Sequence, residues 1–219
     1  MMFKINEVPI FPLNFVLFPD SFLPLKIFEP RYIDMVSACL REKKEFGVVL
    51  MKSGRETRGP VSFHKVGTLA HIETFDQGED GLLHIVAKGT SLFEVVQSEQ
   101  RKDGLNVAKI DPVITNQDNG TSEIELSRLS KLLSEVLESL AEIAPPKPWH
   151  LDDAAWVAYR LAELLPLNNE DRLEILLSPT ADGKIKNHGI VPSGLSLIHI
   201  SEPTRLLSIA FCGVGVEKK

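Results

Sequence analysis

Hydrophobic and polar positions change their period once along the chain. Over residues 9–113 apolar residues come in short runs divided by turn residues, whereas beyond residue 121 they recur every three or four positions. The first pattern predicts strands and the second predicts helices. Near the start, "FVLFP" and "FLPLKIF" are β-branched and aromatic runs divided by Pro19, Asp20 and Ser21, which predicts two strands around a turn. Proline has no N–H to give a ladder, so Pro12, Pro19 and Pro24 are expected at strand ends, bulges or edges. Pro30 then suits the first turn of a helix, with Glu29 placing negative charge at its positive end. Tyr32, Met35, Val36, Cys39 and Leu40 follow as one apolar stripe, while Arg31, Asp34, Arg41 and Glu42 lie off it, and the helix is expected to end near Lys43.

Further on, "FGVVLM" reads as a buried strand and residues 53–60 as an exposed loop. "VGTLAHIETF" and "LLHIVAKGT" flank "DQGEDG", predicting a hairpin over residues 66–90 across which His71 and His84 face each other. "SLFEVVQSEQ" and "LNVAKIDPV" flank "RKDG" as a second hairpin. Five or six strands joined in this way predict an antiparallel sheet, closed or half closed, with one helix inserted.

After "TNQDNG", Ile124, Leu126, Leu129, Leu132, Leu133, Val136, Leu137 and Leu140 mark an amphipathic helix that "PPKPWH" stops. "LDDAAWVAYRLAELLP" starts on helix-favouring aspartates and ends at Pro166, and "NNEDRLEILLS" carries asparagine caps. The fold class is therefore α+β. Its expected organisation is a β domain over residues 1–115, a helical subdomain over 121–178 and an irregular segment over 179–194.

Composition narrows the function classes. The 219 residues are 43% hydrophobic and 25% charged, enough for real cores, and the formal charge of -6 argues against a nucleic-acid partner. Cys39 and Cys212 form no disulfide framework and have no CxxC or histidine at ligand spacing, which fits a reduced, cytoplasmic setting. No segment reaches about eighteen apolar residues, and the early prolines break any signal-peptide core, so no membrane partner is expected.

Catalytic constellations are missing from the pattern. "GRETRGPV" spaces its glycines as a phosphate loop does, but Pro60 and Val61 stand where lysine and a hydroxyl residue would hold phosphate and magnesium. His64, His71, His84, His150 and His188 lack HExxH or cysteine partners, so neither a metal nor a cofactor site is expected. Asp152 and Asp153 point about 100° apart on a helix and fit its start better than paired acid–base work. Binding remains: apolar surface and strand edges suit an extended polypeptide.

The segment "LSLIHISEPTR", residues 195–205, resembles the translation of a transposase adapter used to build sequencing libraries. Residues 195–219 are accordingly read as a non-native read-through tail, with the native frame lost at or before Gly194. Without them the charge is -7, from 21 basic and 28 acidic residues, and Cys39 is the only cysteine.

"FPLNFVLFPDSFLPLKIFEPRYIDMVSACL", then "FGVVL", "VGTLAHIETF", "GLLHIVAKGTSLFEVV" and "LAELLPLNNEDRLEILL", closely resembles the N-terminal substrate-binding domain of the Lon protease family over residues 9–178. The resemblance implies a PUA-like β-barrel followed by a small helical bundle. It implies a non-catalytic module that recognises or tethers unfolded polypeptide, with ATP hydrolysis and Ser-Lys proteolysis in later domains. It is compatible with a stand-alone binding module, with an ATP-dependent protease as a further partner, or with the front part of a full protease. A nucleic-acid-binding PUA-like module is disfavoured by the charge. Arg31 and Tyr32 are the candidate substrate contacts, and Glu29 and Arg31 are expected to form a local ion pair or cap. "SPTADGKIKNHGIVPSG" replaces the family's usual next helix, which predicts an incomplete bundle.

Overall fold

A computed structural model describes residues 7–55, 58–114, 123–140 and 144–178, so the segments over 179–194 and 195–219 lie outside the described residues. The chain forms two compact units, Met1–Ile114 and Thr115–Lys219. The first contains β1 (Val8–Leu13), β2 (Phe22–Ile27), α1 (Pro30–Glu42), β3 (Phe46–Arg55), β4 (Arg58–Gln77), β5 (Leu83–Gln100) and β6 (Asn106–Pro112). Its sheet runs β2-β5-β4-β3-β1-β6, and β6 pairs again with β5, so the ladder returns on itself. The long β5 makes this possible: its first residues pair with β2 and its last with β6.

The sheet is mixed, which corrects the all-antiparallel expectation. β1 lies parallel to β3, with Ile10 opposite Gly47 and Leu13 opposite Leu50. The excursion through β2 and α1 is long enough to bring the chain back in the same direction, as a parallel neighbour requires. A second correction concerns "FVLFP", which is not a strand. Val16, Leu17 and Phe18 are consecutively buried in the connection between β1 and β2, a pattern that a strand with one wet face does not give. Thr68 donates to the Leu17 carbonyl at 2.6 Å, and Asp20 and Ser21 exchange backbone hydrogen bonds with Gly89. Asp20 takes a φ of 60°, completing the Pro19–Asp20 turn that the sequence predicts.

The "SGRETRGP" region likewise contributes strand where a loop was expected, since β3 runs to Arg55 and β4 starts at Arg58. His71 and His84 do not face each other: the register sets His71 against Lys88 and Asp76 against His84. The prolines follow expectation. Pro24 sits on the edge strand β2, and Pro12 lies beyond the part of β1 that pairs with β6.

Two apolar layers result. Ile10, Val49, Phe93, Val95 and Ala108 cluster on one side of the sheet. On the other, Phe11, Phe46, Val48 and Ala70 share a face by register, and Tyr32 of α1 stacks on Phe11 with ring centroids 4.0 Å apart. Met35, Val36, Ala38 and Cys39 of α1 are buried with it, and burial pushes the Cys39 thiol up to about 12, aided by the Glu42 carboxylate. At neutral pH that thiol stays protonated and unreactive.

The second unit contains α2 (Glu123–Ser139), α3 (Ala154–Leu164) and α4 (Asn169–Leu177). Leu129, Leu133 and Leu137 form the buried stripe of α2. Asp153 caps α3 by accepting from the Ala155 and Trp156 amides, and Asn168 caps α4 through the Asp171 amide. Each cap is worth about 1 kcal/mol. Arg160 and Arg172 are both buried, and Glu163 lies 3.3 Å from Arg160. Burial lowers the Arg172 pKa while Glu163 opposes that shift.

Candidate functional site

The residues singled out from the sequence meet at the start of α1. Glu29 occupies the N-cap position but makes no side-chain cap bond. Its carboxylate turns instead to Arg31, with Oε2 2.8 Å from Nη2. The other terminal nitrogen of Arg31 donates to the Gly104 carbonyl at 2.9 Å, and the guanidinium carbon lies 4.7 Å from the Tyr32 ring centroid. Of the two expected outcomes for Glu29 and Arg31, the ion pair forms and the cap does not. The reason is reach: Arg31 is held by a carbonyl on the far side of the junction, and the carboxylate follows it.

That carbonyl belongs to the turn between β5 and β6. Gly104 adopts a φ of +85°, and a Cβ there would stand 3.2 Å from Arg31 Nη1, so glycine serves both the turn and the arginine. The same turn is pinned on its other flank by Arg101, whose Nη2 lies 2.8 Å from Glu7. Arg31 and Tyr32 are therefore internal: the Arg31 side chain is 9% exposed and Tyr32 is 5% exposed.

Several large apolar side chains of this unit are exposed. Phe28, directly before the cap, is 45% exposed, and Ile33 in the first turn of α1 is 37% exposed. Phe75 on β4 is 60% exposed. The register sets Phe75 against Ile85 and Ile85 against Leu25, so these three side chains share one sheet face. Ile27, Leu83 and Gln77 align in the last row of that sheet, at the end from which Phe28 leads into α1. Phe28 follows the last paired residue of β2, Ile33 lies in the first turn of α1, and Phe75 is two residues before the end of β4. Phe75 was missed by sequence reasoning because a bulge between Ile72 and Thr74 changes which β4 residues face that side.

The turn after β4 secures this end. Asp80 accepts from the Leu82 amide at 3.1 Å, from Lys26 of β2 at 3.2 Å and from His84 of β5 at 3.1 Å. Led by the Leu82 amide, these contacts hold the Asp80 carboxyl down to about 2, against an ordinary value of 3.8. A carboxylate with a depressed folded-state pKa stabilises the fold above its unfolded value and loses that contribution as pH falls through the folded one. The stability difference between the protein and its Asp80→Asn variant is accordingly expected to be constant above pH 3.8 and to vanish as pH drops through about 2. Paired urea unfolding curves across that range measure it; a difference that persists unchanged below pH 2 contradicts the assignment.

No group of three or more histidine, cysteine or acidic side chains suited to a metal occurs among the described residues. His71 engages Glu73 at 2.7 Å and His84 engages Asp80. None of the described helices is long and apolar enough to cross a membrane.

Comparison with known proteins accords with this architecture. Residues 7–186 match the family model of the ATP-dependent protease La (LON) substrate-binding domain. A Lon N-terminal domain protein from Xanthomonas campestris, known from its crystal structure, is 34% identical with a TM-score of 0.66, and the match covers 84% of this chain and 96% of that one. The N-terminal domain of a Mycobacterium avium complex Lon protease, 16% identical with a TM-score of 0.60, shares the fold. Among curated proteins, Lon protease 1 of Herpetosiphon aurantiacus is 22% identical over 209 residues, covering 90% of this chain and 25% of that protein. Lon protease of Phenylobacterium zucineum is 30% identical over 91 residues, which is 41% of this chain and 12% of that protein. The chain spans a quarter or less of the length of these relatives. With its mixed sheet, its helical unit and a family match over most of its length, the chain belongs to the Lon substrate-binding domain family.

Proposed function

We propose that this chain is a non-catalytic, cytoplasmic module that binds exposed apolar segments of unfolded polypeptide. The observation that carries the reading is the match of residues 7–186 to a substrate-binding domain. The finer architecture belongs to the proposal: the self-closing ladder is a PUA-like barrel with α1 inserted, spanning about residues 1–115, and residues 121–178 form a helical subdomain. Phe28, Ile33 and Phe75 are the candidate binding residues, because they are large apolar side chains left in water, two at the start of α1 and one on β4. Burying them under a ligand contributes at roughly 25 cal/mol per Å² before the cost of ordering the bound chain. Arg31 and Tyr32 act through position, holding the start of α1 so that Phe28 and Ile33 stay presented.

The test is binding of a permanently unfolded, fluorescently labelled reporter protein. Replacing Phe28, Ile33 and Phe75 together by serine is expected to weaken binding tenfold or more, while each exposed site changes stability by only about 0.5 kcal/mol. Undiminished affinity in the triple variant sinks the assignment of these residues. A second reading, that the chain is the front part of an ATP-dependent protease, is favoured by its coverage of only 25% of the Herpetosiphon relative. Sequencing source DNA past codon 194 separates the two, since a continuing frame that encodes an ATPase domain supports the second.

A further inference from the structure

A module that binds unfolded polypeptide, the reading on which this inference rests, meets chains whose backbone donors and acceptors are bonded only to water. One edge of the sheet matches them. β2 ends the strand order, and among the described residues β5 is its only ladder partner. The phase of that ladder is set just before it starts, where the Gly89 amide donates to the Ser21 carbonyl at 2.9 Å. Hydrogen-bonded and non-hydrogen-bonded positions alternate along an antiparallel pair. Leu23, Leu25 and Ile27 accordingly bond to β5, opposite Ala87, Ile85 and Leu83, whereas Phe22, Pro24 and Lys26 turn their backbone groups away from it. Pro24, which has no N–H, thus stands where the ladder needs none. Among the described residues, the backbone of Phe22–Ile27 makes no hydrogen bond outside the β5 ladder. The amides of Phe22 and Lys26 and the carbonyls of Phe22, Pro24 and Lys26 therefore line an open edge.

We infer that polypeptide is captured by strand addition at this edge, an extended segment running antiparallel to β2 and bonding to Phe22, Pro24 and Lys26. A second copy of the chain fits the edge poorly. The register that pairs Phe22 with Lys26 sets Pro24 against Pro24, where neither can donate, and proline with exposed lysine is what sheet edges use against self-association. A segment with an ordinary residue opposite Pro24 forgoes a single bond. Directly opposed residues share a face, so the residues of the segment that bond to β2 lie on the side of exposed Pro24 and Lys26. Their neighbours lie on the side where Leu23, Leu25 and Ile27 are buried. The edge thus takes segments that alternate apolar with polar residues, and it holds them by the backbone of the polar ones.

The experiment uses a short labelled peptide of alternating leucine and threonine, with the backbone nitrogens of either all threonines or all leucines methylated, and measures fluorescence anisotropy with the full chain. Methylation at threonine is expected to weaken binding at least about tenfold, through lost backbone hydrogen bonds, while methylation at leucine leaves it unchanged. On the protein side, Pro24→Ala supplies the missing donor and is expected to tighten binding about fivefold, a gain that damage to the fold cannot produce. Lys26→Pro removes an outward N–H without touching the β5 ladder. It is expected to bind about fivefold more weakly than Lys26→Ala, which loses the same ion pair to Asp80. Equal sensitivity to the two methylations, or sensitivity at leucine alone, overturns strand addition, as does a Pro24→Ala variant that binds no more tightly. Continued binding of the unfolded reporter then leaves the polypeptide reading standing. Failure of both the peptide and the reporter to bind overturns both.

Discussion

Alanine at position 31 is expected to cost the first unit about 3–5 kcal/mol, the usual loss when one partner of a buried ion pair is removed. Arg31 joins three pieces of chain: the residue before α1 through Glu29 at 2.8 Å, the β5–β6 turn through the Gly104 carbonyl at 2.9 Å, and α1 itself through the face of Tyr32. Truncation removes all three contacts and leaves a carboxylate that is only 17% exposed without this cation. The Gly104 carbonyl keeps a 3.2 Å hydrogen bond from Gln100, which holds the loss toward the lower end of the range. Lysine at the same position restores charge but lacks the fork that serves carboxylate and carbonyl together, so an intermediate loss is expected. Urea unfolding supplies the stability, and reporter binding supplies the function. Loss of both marks Arg31 as a positioning residue. Loss of binding at unchanged stability makes it a direct contact with polypeptide and overturns the positioning role.

The sequence already contained much of this junction. Pro30 and the stripe from Tyr32 to Cys39 located α1 within a residue, because proline at a helix start and apolar spacing both act locally. The hairpins around "DQGEDG" and "RKDG" were legible for the same reason: their glycines, at φ of 75° and 85°, declare the turns. What escaped depends on partners far along the chain. The parallel pairing of β1 with β3 is written in no local run, and Phe18 reads as a strand residue until Thr68 and Gly89 are seen to anchor its connection. The Gly104 carbonyl is 73 residues from Arg31, so spacing pointed to Glu29 as its partner and gave no sign that the legible "RKDG" turn meets this arginine. Phe75 was hidden by a single bulge, since one extra residue reverses which side chains meet α1's side of the sheet.

The other large effect is expected inside the ring of strands, where alanine in place of Phe93 should cost about 3–5 kcal/mol. Phe93 is fully buried, and two neighbouring strands have given up side chains to receive it. A Cβ on Gly47 would lie 2.5 Å from its Cζ, and one on Gly67 would lie 3.1 Å from the same atom. The aromatic ring thus fills space that ordinary residues on β3 and β4 would occupy, and its loss opens a cavity that their backbones are poorly placed to close. The converse change, Gly47→Ala, is expected to cost about 1–3 kcal/mol through overpacking against Phe93 and Ile10. Because both substitutions act on one volume, adding Phe93→Leu to Gly47→Ala should cost less than the two separate losses predict, by about 1 kcal/mol or more. A thermodynamic cycle from urea unfolding measures that coupling. Strict additivity contradicts a core built around this ring. Coupling at the expected size means that the space between Gly47 and Gly67 is occupied by the protein's own side chain.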